Sequence, residues 1–243
     1  MIDHTPEEVA EHSRRMRRAI VIALLFTSIL WDIKLVEIMF GFDWSSLGIY
    51  PRTPSGLVGV IFAPLLHGSF EHLMANTPSA IVLLAVLLYG YPKSAKWVLP
   101  VIWLGTGLSV WLFARHAYHI GASGLTFGLM FYIFVIGILR RDKPSIGWAL
   151  IVFFLYGGML GGLFPDDQTI SYESHIAGAC LGILLAFMFK NVDPPIQRKV
   201  YSWELEDESE SDDWEYEYDQ DDADPTEDSE HNSDNGGNSR YLH

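Results

Sequence analysis

Three short stretches of this chain hold side chains suited to hydrolytic chemistry. Ser123 lies in His119-Ile-Gly-Ala-Ser-Gly124, and His175 lies in Ser174-His-Ile-Ala-Gly-Ala-Cys-Leu-Gly182. His72 and Asn76 lie in His67-Gly-Ser-Phe-Glu-His72-Leu-Met-Ala-Asn76. A serine hydroxyl is a weak nucleophile until a base within hydrogen-bond reach takes its proton. Hydrolysis of an amide also needs water and fixed donors for the developing oxyanion. Gly121 and Gly124 flank the serine and let another backbone approach closely, and a helix beginning at Ser123 would offer unpaired N–H groups to negative charge. Gly178 and Gly182 form a small-residue stripe below His175, which would let its helix pack tightly against that of Ser123.

The elements that must position these residues are apolar. Of 243 residues 49% are hydrophobic, yet the formal net charge is -14. The charge is local: residues 201–243 hold 17 of the 30 acidic residues and one basic residue, Arg240. The remainder is an apolar, slightly basic body. The acidic segment, 191–243 with its approaches, buries too little apolar surface to offset its ordering entropy and is expected to be a disordered cytoplasmic tail.

A helix needs roughly 20 mainly apolar residues to cross a hydrocarbon core of about 30 Å. Six segments meet or approach this: 19–37, 71–91, 97–114, 122–139, 146–164 and 173–190. The first is the weakest, because Asp32, Lys34 and Glu37 fall at its far end. Residues 1–18 precede it as an N-terminal segment, and the long connection 38–70 is apolar enough to lie in the membrane interface. The arginines at 14, 15, 17 and 18 precede an apolar run, but Trp31 and Asp32 stand where a signal peptide would need small residues, so a retained span is expected.

Twelve Lys and Arg residues fall on one side of these segments, and Lys34, Arg52 and Arg115 on the other. The asymmetry predicts a multi-pass cell-membrane protein with both termini cytoplasmic. Basic residues so placed mark topology rather than a nucleic-acid surface, so membrane lipid is the expected surrounding and nucleic acid is not an expected partner. Polar residues within spans are costly and hint at function. Asn76 and Ser123 each stand 17 residues before the basic residue at the inner end of their segment, and His175 stands 15 before Lys190. At a rise of about 1.5 Å per residue, all three lie roughly 22–26 Å from the inner boundary, a shared level near the outer face.

In this order and on these segments, the motifs resemble those of the rhomboid family of intramembrane serine proteases. Gly121-Ala-Ser-Gly124 resembles the family's G-x-S-G motif, His175-Ile-Ala-Gly178 its catalytic-histidine helix, and His67 to Asn76 its H-x4-H-x3-N element. The similarity spans about residues 15–190. It implies an all-α bundle of six transmembrane helices and a Ser123–His175 dyad without an acidic third member or any cofactor. It further implies oxyanion donors at His72 and Asn76 beside the Ser123 N–H. Gly121, Gly124, Phe127 and Gly178 would support the site, and the substrates would be transmembrane proteins cut near the outer end, admitted past the glycine-rich fifth segment. Two positions depart from the pattern. Val58-Gly59 stands where some members carry Trp-Arg, and Phe127 replaces a frequent tyrosine while keeping its stacking face.

Three other readings compete. A membrane metalloenzyme would draw ligands from His67, His72, His116, His119 and His175, but no H-E-x-x-H spacing occurs and no acidic ligand lies within the spans. An inactive rhomboid-like binding protein would more simply have lost Ser123 or His175. A six-helix transporter would show a repeat of broken helices between its halves, and none is seen. The single cysteine, Cys180, excludes an intrachain disulfide, and His116 and His119 are expected as solvated or headgroup-facing residues.

Overall fold

The computed structural model describes residues 6–165 and 170–194; the expectation of a disordered acidic tail therefore lies almost wholly outside the described residues. The chain begins with α1 (Pro6–Phe40), whose 35 residues make it longer than the apolar run it contains. A connection of short turns follows, built from 3-10 turns at Ser45–Leu47, Ser55–Val58 and Ala63–Leu65 around the single-turn α2 (Gly59–Phe62). Then come α3 (Phe70–Gly90), α4 (Pro92–Phe113), α5 (Ser123–Arg140), α6 (Lys143–Tyr156) and α7 (Tyr172–Phe189). Among the described residues, the only β pairing is an isolated bridge between Ile49 and His119. Among the described residues, six helices are long and apolar enough to cross a membrane, the fifth of them counted through Leu163, so the fold is an all-α, six-span bundle.

Local chemistry sets most helix ends. Ser69 caps α3 by accepting the His72 N–H, and Asp142 caps α6 by accepting the Ser145 N–H. The α4 start is capped from a distance: the buried Asp193 carboxylate, beyond the end of α7, accepts the N–H groups of Lys93 and Ser94 at 2.7 and 3.1 Å. Arg141 ends α5 in a left-handed conformation at φ 59°. The fifth apolar segment is not one regular helix. α6 gives way at Gly157 to a 3-10 stretch, Gly157–Leu163, where four glycines remove the side chains that favour α-helix. Pro78 lies in the interior of α3. Neighbouring helices make such a proline tolerable in a membrane bundle, and here the Tyr156 hydroxyl donates to the Pro78 carbonyl across to α6 at 3.2 Å.

The centre of the bundle is α5, the most buried of the six helices; α6 is the least. Leu129, Tyr132, Ile133 and Ile136 on α5 are fully enclosed, packed with Leu83 and Leu87 of α3 and Val98 and Ile102 of α4. Against α7 the contact is of another kind. A Cβ built on Gly178 would lie 2.1 Å from the Gly124 carbonyl oxygen, and one on Gly182 would lie 2.2 Å from that of Gly128. The two backbones touch directly. Lipid tails are as apolar as leucine, so such association depends on close van der Waals fit between small residues. Gly178→Val is therefore expected to force α5 and α7 apart and lower stability by about 1–3 kcal/mol, the usual cost of overpacking. Thermal unfolding in detergent, followed by circular dichroism, measures this.

Candidate active site

Ser123 is the first residue of α5, and His175 lies in the first turn of α7. The glycine contact between these helices sets the two side chains face to face, with Ser123 Oγ 2.8 Å from His175 Nε2. The other ring nitrogen, Nδ1, lies 2.7 Å from the carbonyl oxygen of Gly162. A carbonyl can only accept, so the hydrogen of the neutral imidazole resides on Nδ1 and the Nε2 lone pair faces the serine. The hydroxyl then donates to Nε2, which is the geometry of a nucleophile and its base. Phe127, one helical turn after Ser123, stacks on the histidine ring with centroids 4.0 Å apart and planes 5° from parallel. Three contacts thus fix the imidazole, which has no carboxylate hydrogen-bond partner among the described residues.

Gly162 falls in the 3-10 continuation of α6. Nothing in the sequence marks it as a partner of His175, because the group it offers is a backbone carbonyl. A Cβ added there would lie 2.9 Å from His175 Nδ1, so glycine is required for the approach. Gly121 is required twice: its φ is +117°, and a Cβ would stand 2.6 Å from His72 Cε1. His72 is thereby brought down onto the turn that leads into Ser123. Asn76 is buried one turn further along α3, and its Nδ2 donates one hydrogen to the His72 carbonyl at 2.9 Å, leaving its second available. The N–H groups of Ser123, Gly124 and Leu125, at the start of α5, have no preceding helical turn to accept from them.

These residues line one cavity of about 710 Å³, a volume suited to an extended peptide or small ligand. His72, Asn76, Ser123, Phe127, Gly162 and His175 all contribute to its wall. Gly124 and Gly178 lie behind it, in the helix contact. Another side of the cavity is tied by an ion pair the sequence reading did not single out. Arg115 donates to the Glu173 carboxylate at 2.9 Å and to the Ile170 carbonyl at 2.8 Å, joining the loop before α5 to the start of α7.

His119 reinforces that tie and corrects an expectation. Rather than facing solvent or headgroups, it is 3% exposed, with Nδ1 2.7 Å from Ser171 Oγ and Nε2 3.0 Å from the Arg115 carbonyl. Burial lowers its pKa below the usual histidine value, so the ring is neutral at pH 7. His116 lies apart, tilted against Tyr50. Among the described residues no three His, Cys, Asp or Glu side chains converge as metal ligands do.

Comparison with known proteins agrees with the architecture. A family model described as the Rhomboid domain matches residues 54–192, which takes in every residue of the cavity named above. An uncharacterized protein of Mycobacterium tuberculosis is 36% identical over 174 residues, 68% of this chain and 72% of its own length. One of Mycobacterium bovis matches to the same extent. One of Mycobacterium leprae is 30% identical over 201 residues, 77% of this chain and 78% of its own length. With its six membrane-spanning helices, the chain belongs to the rhomboid family, whose members are in general intramembrane serine proteases.

Proposed function

We propose that this protein is an active serine endopeptidase that cuts transmembrane substrates near the outer face of the cell membrane, with Ser123 as nucleophile and His175 as base. The observation that carries this reading is the 2.8 Å contact between Ser123 Oγ and His175 Nε2, with Nδ1 fixed by the Gly162 carbonyl. Ser123 Oγ attacks the scissile carbonyl carbon while its proton passes to Nε2. The oxyanion is held by the Ser123 N–H, the free Asn76 Nδ2 hydrogen and the His72 ring. When the tetrahedral intermediate collapses, the leaving amine takes the proton from Nε2. Water then attacks the acyl-enzyme by the same route in reverse order of roles. The imidazolium formed in between keeps its Nδ1–H bond to Gly162 and lies over the Phe127 face, which favours a cation. A carboxylate is thereby dispensed with.

The excess of basic residues at one side of the spans supports cytoplasmic termini, which puts the cavity toward the outer face, where water reaches it. A substrate helix must expose its backbone to be cut, so a bond near that end, where it can unwind into the cavity, is the expected target.

Reconstitution in vesicles with a fluorescent transmembrane substrate tests the reading. Ser123→Ala and His175→Ala are each expected to reduce cleavage to background, because the two residues act as one unit. Cleavage that survives Ser123→Ala would overturn the assignment. For Asn76→Ala the expected loss in kcat is about 10–1000-fold, the range for one oxyanion donor. Phe127→Leu is expected to slow reaction of Ser123 with a fluorophosphonate by about 3–10-fold, the worth of one aromatic stack, while Phe127→Tyr leaves it unchanged.

A further inference from the structure

Two of the three charges that made the first apolar segment weak, Lys34 and Glu37, are paired with each other. Lys34 on α1 is 9% exposed, and its Nζ lies 2.8 Å from Glu37 Oε2. An ammonium so placed is expensive in a spanning helix and by default marks a site with a task. Its second bond shows where it acts: Nζ donates to the His67 carbonyl at 3.0 Å. Glu37 is anchored in turn, its other oxygen accepting the Trp44 N–H at 3.3 Å.

His67 ends a short bridge, residues 63–67, that runs from α1 to the turn before the nucleophile. The Ala63 carbonyl accepts the Gly121 N–H at 2.9 Å, and His67 Nε2 accepts the Ala122 N–H at 3.4 Å. The His67 ring, 2% exposed, also meets the edge of the His72 ring with centroids 5.2 Å apart. Both consecutive peptides before Ser123 are therefore held by this bridge, and the same histidine backs the proposed oxyanion side chain. Burial, with the His72 and Lys34 charges adding to it, pushes the His67 pKa down to about 4, so the ring is a neutral acceptor at pH 7.

We infer that Lys34 is a positioning residue: through the His67 carbonyl it fixes the 63–67 bridge, which holds the Gly121–Ala122 turn and so the backbone N–H and hydroxyl of Ser123. The kinetic part of this inference rests on the protease reading; the structural part does not. Lys34 contacts neither the cavity nor any group that reacts.

The test uses the full chain in detergent micelles and two readouts: amide hydrogen exchange over residues 119–124, and the rate at which a fluorophosphonate labels Ser123. Lys34→Met is expected to raise exchange over 119–124 and to slow labelling, each by roughly tenfold, as for loss of one hydrogen bond from a charged donor. Lys34→Arg keeps a charged donor and is expected to restore both to within about threefold. Exchange in the interior of α5, residues 129–138, is expected to stay unchanged throughout. Unaltered exchange over 119–124 in Lys34→Met overturns the inference, and so does a parallel rise along α5, which would mark a general loss of stability. If Lys34→Met does not fold, Lys34→Gln, polar but too short to reach His67, decides on the same readouts. A wild-type protein that resists labelling while exchange responds as expected would sink the protease reading and leave the positioning relation standing.

Discussion

Everything at this site depends on two helices meeting without side chains between them. α5 and α7 touch backbone to backbone at Gly124, Gly128, Gly178 and Gly182. In water, hydrophobic burial would press two such helices together; in lipid that force is absent, and only surface fit remains. The contact also fixes chemistry. Ser123 and His175 stand at the matching ends of the two helices, one turn or less beyond the glycines, so their separation is set by helix packing rather than by a loop. A site built on rigid elements holds its geometry more closely than one on loops.

Several charged groups toward the ends of the helices work in pairs. Arg115 and Glu173 join the loop before α5 to α7, while Lys34 and Glu37 join α1 to the 63–67 bridge. At the opposite end, Asp193 caps α4 and bonds the Ser94 hydroxyl, which meets the Tyr132 hydroxyl of α5, and Arg140 donates to the Asp193 carbonyl. α5 is thus tethered at both ends. α6 is held mainly by its caps and a face against α5, and it carries the least buried surface of the six.

Much of this was legible in the sequence because the membrane imposes so narrow a grammar. Apolar length gave the six spans, and the common depth of Asn76, Ser123 and His175 placed them in one layer, where the structure gives them one cavity. Other features were out of reach. The partner of His175 Nδ1 is a carbonyl, which every residue possesses, so no side-chain pattern points to Gly162. His119 looked exposed because it follows the end of α4; its bonds to Ser171 and Arg115 depend on a loop path that hydropathy does not encode. The charges on α1 read as a defect in a span because their use appears only when residue 67 is brought beside residue 34.

The carbonyl that orients His175 has one more consequence. A base oriented by an aspartate can be disabled by a single substitution, and its integrity can be read from a gene. Here the orienting group is main chain, within a run of glycines in 3-10 conformation at the end of the most peripheral helix. No substitution can delete it, but a shift of that segment by an ångström or two breaks the 2.7 Å bond and frees the ring to exchange tautomers. On the reading proposed above, an intact Ser123 and His175 are therefore necessary for activity and not sufficient, because the orientation of the base rests on the path of a main-chain segment.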